Sequence, residues 1–245
     1  MEKTTTNSIG TEFILVPAGT YIMGGDPLAE QADENETPRH KVTFNTPFYI
    51  GKYTVTQTQW EAVMEYNPSD VKGLDRPVET VSHQDAGLFI ERLNQKENTT
   101  SYGLPTEAQW EYASRAGSEA TYCYGSERKK LSQYAWFRKN SDGMVQPVGL
   151  LAPNAWGIYD MHGNVHEWCS DWFDRNYYNS SPRVNPTGPK SGLARSLRGG
   201  DWSSEDWYCR CAIRSLSLPD RRSPRVGFRL VKNIEMQPTT GDNPV

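Results

Sequence analysis

The chain has 245 residues and a mass of 27.8 kDa, which suits one large domain able to bury a core without disulfide or metal staples. A net charge of -4 and a pI near 5.7 argue against a phosphate-binding surface, which needs concentrated Lys and Arg, so no nucleic-acid partner is expected. No apolar run approaches a membrane span and MEKTTTNSIG has no apolar h-region, so the expectation is a soluble protein without a transmembrane segment, cytoplasmic or surface-displayed if a leader has been removed.

In chain order, residues 1–10 read as a flexible N-terminus. FILVPAGTYIMGG reads as a strand, a Pro-Ala-Gly turn and a second strand, and VTFN with FYIGKYTVT as another short pair. The acidic stretch DPLAEQADENETPRH between them predicts a surface loop. Three amphipathic helices follow. TQTQWEAVMEY places Trp60, Val63 and Met64 on one face behind a Thr cap. VSHQDAGLFIERLNQ gathers Ala86, Phe89, Ile90 and Leu93 behind Ser82, and TEAQWEYASRAG turns Trp110 and Ala113 inward behind Thr106.

From about Tyr134 onward helical periodicity ends. AWF, QPVGL, NAWGIYDM, EWCSDWF, RSLRGGDW, YCRCAIR and VGFRLV alternate with Gly, Asn and Pro, predicting short strands and ordered loops, in one twisted sheet closed by VGFRLV. Residues 233–245 are polar with two Pro and predict a flexible tail. The eight Trp, thirteen Tyr, twenty Gly and sixteen Pro imply a turn-rich fold with an aromatic core. The four cysteines, Cys123, Cys169, Cys209 and Cys211, are too few for a disulfide framework and form no CxxC knuckle, which leaves the compartment undecided.

YDMHGNVHEWCSDWF concentrates His162, His166, Glu167 and Cys169. The i, i+4 histidines would share a helix face as in zinc enzymes, but the intervening Gly163-Asn164 pair argues for a tight turn followed by a strand. Alternation along that strand then puts His166 and Trp168 on one face and Val165, Glu167 and Cys169 on the other. Oxygen chemistry is the alternative to packed histidines. Asp160, Glu167 and the carbonyls exposed by the Gly turn can converge on a hard cation such as Ca²⁺, or the same carboxylates can make turn and cap hydrogen bonds.

GTEFILVPAGTYIMGG, YIGKYTVTQTQWEAVM, YGLPTEAQWEYASRAG, APNAWGIYDMHGNVHEWCSDWF, RSLRGGDW and RVGFRLV, in that order, together resemble the formylglycine-generating enzyme (sulfatase-modifying factor) family over residues 11–232. The resemblance implies an irregular α+β domain with a C-type-lectin-like core and little regular secondary structure. It also implies a structural Ca²⁺ held by the side chains of Asp160 and Glu167 and the carbonyls of Gly163 and Val165. Members that are enzymes convert a sulfatase cysteine to formylglycine with oxygen and copper held by two cysteines four residues apart. Here RGGDWSSEDWYCRCAIR offers only Cys209 and Cys211, a C-x-C pair off those positions, so they are weak catalytic candidates and copper belongs only to the enzyme reading. Packed, inert thiols are the better expectation.

DWSSEDWYCRCAIRSLSLPDRRSPR mixes aromatic anchors with Ser and Arg, the composition of an adaptable binding surface. The segment is also similar to the variable region of retroelement-diversified proteins of this fold, whose skeleton reads here as RGG, Trp202, Cys209-Arg210, Ala212, Arg214, Pro219, Arg222 and GFRL. Adenine mutagenesis of AAC or AAT codons yields Ser, Tyr, Ile, Leu, Arg, Asp, Pro or Cys, a rule the residues between skeleton positions obey except Glu205 and Trp207. The expected ligand contacts are Ser203, Ser204, Trp207, Tyr208, Ile213, Ser215, Leu216, Ser217, Leu218, Arg221 and Ser223. The function expected is non-catalytic binding of a protein or other macromolecular ligand through residues 201–225. A sulfatase-modifying oxidase is the alternative.

Overall fold

The structure, a computed structural model, describes residues 2–28 and 32–234. Strands β1 (Thr4–Thr6) and β2 (Glu12–Val16) pair antiparallel, so the N-terminal decapeptide expected to be flexible contains an edge strand. The turn after β2 does not make a hairpin. β3 (Gly19–Met23) pairs with β4 (His40–Phe44), while β2 pairs with β5 (Phe48–Gly51). Each helix begins as its capping residues dictate, with the cap hydroxyl accepting from the backbone three residues on. Thr56 starts α1 (Gln57–Met64), Ser82 starts α2 (His83–Lys96) and Thr106 starts α3 (Glu107–Arg115), which follows the short β6 (Tyr102–Gly103).

α1 and α2 bury the faces their periodicity marks. Trp60 and Phe89 stack at 5.4 Å against Phe228 in one core that also holds Val55, Leu93 and Trp168. α3 departs from the half-buried helix expected. Its polar face is buried too, including Glu107, Glu111 and Arg115.

The second half supplies β7 (His166–Trp172), β8 (Arg195–Arg198), β9 (Ser215–Ser217), β10 (Val226–Gly227) and β11 (Val231–Asn233). These strands fall in two sheets rather than one, beside the separate β3-β4 pair. VGFRLV is split between them: β10 lies parallel to β7 in the sheet β10-β7-β8-β9, and β11 inserts between β5 and β6 in the sheet β1-β2-β5-β11-β6. Arg229, between these two strands, therefore sits where the sheets meet. β11 extends through Asn233, and the remainder of the expected tail, from residue 235, lies outside the described residues.

Candidate functional site

The segment after β8 is fastened from beneath by arginines. Arg198 donates to the carbonyls of Cys211, Ala212 and Ile213 at 3.0, 2.9 and 2.6 Å and also grips the carboxylate of Glu111. Arg210 reaches both oxygens of Glu36 at 2.7 and 2.8 Å, and Arg214 both oxygens of Glu107 at 2.7 and 2.9 Å. Burial works to raise the carboxyls of Glu107 and Glu111. The guanidinium groups of Arg214 and Arg198 around the first, and of Arg115 and Arg198 around the second, outweigh it and hold both below the usual range. Glu36 comes from the acidic stretch expected to be a surface loop, yet it is fully buried because Arg210 needs its charge.

The turn leaving β8 depends on glycine. Gly199 and Gly200 have φ of 95° and 74°, and a Cβ on Gly200 would meet the Tyr208 carbonyl at 2.8 Å. Beyond it, Trp207, Tyr208, Leu216 and Leu218 are exposed, between 39% and 52%. Trp207 and Tyr208 lie ring to ring at 3.7 Å on a short 3₁₀ turn over 206–209, and Leu216 and Leu218 project from and just beyond β9, an edge strand. Arg221 is exposed, while Ser203, Ser215, Ser217 and Ser223 are half-buried around this platform. Two expected contacts sit deeper. Ser204 is buried, its hydroxyl accepting from the Asp201 N–H at 3.0 Å. Ile213 is 1% exposed, so it packs the core beneath the surface rather than touching a ligand, because Arg198 draws its carbonyl inward.

A polar cleft of about 260 Å³ opens beside the platform, lined by His166, Asp201, Ser203, Ser204, Glu205, Tyr208, Ser215 and Arg225. His166 Nδ1 donates to Asp201 Oδ2 at 2.9 Å, and Asp201 Oδ1 accepts from the Ser203 hydroxyl and N–H at 2.7 and 2.6 Å. Burial works to raise the Asp201 carboxyl, but the His166 and Ser203 hydrogen bonds outweigh it and keep the group ionised. Arg225 lies over the Trp202 ring at 5.3 Å, and its carbonyl accepts from the His166 N–H at 2.8 Å.

Cys209 and Cys211 are fully buried. Burial pushes the Cys209 thiol up, and its Sγ lies 3.7 Å from the Glu205 carbonyl, while Cys211 Sγ lies 3.6 Å from the Ser114 hydroxyl. Thiols sealed from solvent do not fit a copper centre that must admit oxygen and a protein substrate. His162 packs as expected, with its Nδ1 2.8 Å from the Cys209 carbonyl and its Nε2 accepting from the Cys123 N–H at 3.2 Å.

The loop expected to hold calcium folds tightly. Asp160, Gly163 and Asn164 all have positive φ, and the Trp136 carbonyl lies where a Cβ of Gly163 would be. Asp160 is buried. Its Oδ2 accepts from the Gly149 N–H at 2.8 Å, while Oδ1 has no hydrogen-bond partner among the described residues, and burial, reinforced by Glu167, pushes the carboxyl up to about 6. An orphaned buried carboxylate oxygen fits a hard cation. Glu167 is differently placed. Its two oxygens accept from Arg229 at 2.7 Å each, and Oε2 also from the Trp110 indole at 2.7 Å. Its charge is thus already balanced by a resident guanidinium.

The family description "Sulfatase-modifying factor enzyme 1-like domain" matches residues 1–234. The chain belongs to this family. A formylglycine-generating enzyme of Streptomyces coelicolor is 39% identical over 184 residues, covering 69% of this chain and 56% of that enzyme. The serine/threonine-protein kinase pkn1 of Chlamydia pneumoniae is 31% identical over 246 residues, covering 91% of this chain and 38% of the kinase. The chain thus spans about half or less of the length of these relatives. Treponema denticola variable protein 1 superimposes with a TM-score of 0.86 at 28% identity, over 96% of this chain and 100% of that protein. The fold expected from the motifs, an irregular α+β domain with a C-type-lectin-like core, is that of the sulfatase-modifying factor domains.

Within this family scaffold the cleft is what the sequence did not reveal. His166 and Asp201 meet only because β7 and β8 are paired at Glu167 and Arg198 and the Gly199-Gly200 turn swings Asp201 back. An acidic residue directly after RGG, with a histidine beside the strand-forming Glu167, was the available signal. Among the described residues no helix is long and apolar enough to cross a membrane.

Proposed function

We propose that this domain is a non-catalytic binding module that presents residues 201–225 as a variable surface to a protein or other macromolecular ligand. One observation carries the reading: Arg198, Arg210 and Arg214 fasten the segment to buried carboxylates, while Trp207, Tyr208, Leu216 and Leu218 stand outside, in an exposed group that the core does not require. Likeness to a protein described as variable supports it. Calcium serves as a brace for the 159–167 loop, held by Asp160 with the carbonyls of Gly163 and Val165, and Glu167 joins only through lone pairs left by Arg229 and Trp110.

Two measurements test this. Replacing Trp207, Tyr208, Leu216 and Leu218 together by Ser should cost less than about 2 kcal/mol of stability, as exposed positions do. A collapse of the fold would show that these side chains serve the core. Sequencing the locus should find a near-identical template repeat beside a reverse transcriptase, and its absence would remove retroelement diversification. The alternative, an oxidase converting a protein cysteine to formylglycine, draws on the 39% identity to the Streptomyces enzyme. The burial of Cys209 and Cys211 opposes it.

A further inference from the structure

Phe44 ends β4 and Phe48 begins β5, and their rings meet edge to face at 5.5 Å. With Leu104 and Val231 they form the apolar floor of a crevice of about 330 Å³, whose walls include no residue of 201–225 or of the 159–167 loop. No lining residue carries a charge, although 23% of the chain's residues do. The rim is made instead of hydroxyl and carboxamide side chains, two of which are held with one arm engaged. Gln109 completes the capping box of α3, its Oε1 accepting from the Thr106 N–H at 2.9 Å. A backbone N–H can bond only to the oxygen of a carboxamide, so the orientation of Gln109 is fixed, and its Nε2 is left without a partner among the described residues. Asn185 donates Nδ2 to Asn45 Oδ1 at 2.6 Å, and its own Oδ1 has no partner among the described residues.

From this arrangement we infer that the crevice is a binding site for a small uncharged amide, whose carbonyl accepts from Gln109 Nε2, whose N–H donates to Asn185 Oδ1, and whose short apolar chain lies on the floor. The inference is independent of the binding reading above. Charge sets the class of ligand. An ion entering here would lose its hydration and meet no charged side chain in return, so charged molecules are excluded. Hydrogen bonding narrows it further. One donor and one acceptor complement a single amide group, whereas an ester or ketone leaves the Asn185 oxygen unmet, and a polar group that loses water without a new partner is costly. Size agrees, since about 330 Å³ lies at the lower end of small-molecule sites. Preorganisation favours the same role. Gln109 is held by the helix cap, and Asn185 by Asn45 and by its own N–H on the Thr43 carbonyl at 3.0 Å, so little side-chain freedom remains to be lost on binding.

The test uses the whole chain labelled with ¹⁵N and followed by proton–nitrogen correlation. The reporter is the backbone N–H of Thr106, which donates to Gln109. The indole N–H of buried Trp168, bonded to the Val81 carbonyl at 3.0 Å, is the fixed reference. The probe is N-methylbutanamide, with methyl butanoate, which lacks the N–H, and the butanoate anion as controls. N-methylbutanamide should move the Thr106 signal saturably and leave Trp168 unmoved. Methyl butanoate should bind about tenfold more weakly, the loss of one hydrogen bond, and butanoate should produce no response. Gln109→Glu keeps the cap acceptor, since Glu serves a capping box as Gln does, and removes the donor. It should retain the parent Tm and bind the amide about tenfold more weakly. An equal response to methyl butanoate, a response to butanoate, or an unchanged affinity in Gln109→Glu overturns the assignment. So does an absence of response to the amide up to its solubility limit, which would mean that the crevice is closed or filled by the chain itself. None of these outcomes touches the platform reading, because none of its residues lines the crevice.

Discussion

Arg214 holds Glu107 through two nitrogens, Nε to Oε1 at 2.7 Å and Nη2 to Oε2 at 2.9 Å, with both side chains almost completely sealed from water. The pair joins α3 to the segment that carries the exposed platform. Removing Arg214 leaves the Glu107 charge buried with only Arg198, 3.7 Å away, to offset it, which is far costlier than deleting the pair. Arg214→Met should therefore destabilise the domain by about 3 to 5 kcal/mol in chemical denaturation, with Glu107→Gln, Arg214→Met recovering part of the loss. A single-variant loss below about 1 kcal/mol, the range of exposed pairs, would contradict this burial.

Asp171 titrates against the trend of its neighbours. It accepts from the Glu107 N–H at 2.9 Å and the Ser170 hydroxyl at 3.1 Å, and burial, with the nearby Glu107 charge, pushes its carboxyl from 3.8 up to about 7. Between those values the folded state binds more protons than the unfolded chain, so this group's contribution falls as pH rises from about 4 to 7. Asp171→Asn keeps an acceptor and removes the titration. Relative to the parent, the variant should gain about 2 to 4 kcal/mol between pH 4 and pH 8. Urea melts at both ends of the window measure it, and a difference independent of pH would sink the assignment.

Calcium can be tested without disturbing the ion pair beside it. Saturating Ca²⁺ should stabilise the domain by about 3 kcal/mol at a hundredfold excess over its Kd, read as a rise in Tm that chelator reverses. Asp160→Asn should abolish that increment while leaving Arg229 paired with Glu167. Glu167→Ala is the poorer variant, since it strands the Arg229 guanidinium in the core whatever the metal does. A melt insensitive to both Ca²⁺ and chelator would remove the metal.

Thiol labelling separates the binding module from the oxidase. Cys123 is half-buried, and Cys169, Cys209 and Cys211 are buried. With an aromatic disulfide reagent, only Cys123 should react at a measurable rate in the folded protein, and all four thiols after denaturation. Rapid modification of Cys209 or Cys211 in the folded state would revive the enzyme reading.

The three helices were legible because their signals are local: the cap hydroxyls of Thr56, Ser82 and Thr106, and apolar spacing around Trp60 and Phe89. The family motifs carried the fold. Hidden from any local reading were the buried charges. Glu107 and Glu111 are one helical turn apart, which looks like a solvated face until Arg198 and Arg214 arrive from a strand and loop far along the chain. Glu36 was obscured in the same way by its acidic surroundings. Ile213 obeys the codon rule for variable positions, but a codon rule reports mutability and not orientation, and the residue points inward. The His166 and Asp201 contact follows from strand register, which single-strand alternation cannot supply.

The stapling arginines also govern how the polypeptide reaches its native state. Arg210 meets Glu36 across 174 positions, and Arg229 meets the Gly51 carbonyl across 178. Such long loops must close before either contact rewards the chain, which places the domain among high-contact-order, slow folders. A ribosome that has released α3 but not Arg198 and Arg214 exposes a nascent chain with Glu107 and Glu111 still lacking those counter-charges. Folding is therefore expected to complete only after nearly the whole domain has emerged, as one late cooperative event rather than by stepwise growth from the N-terminus.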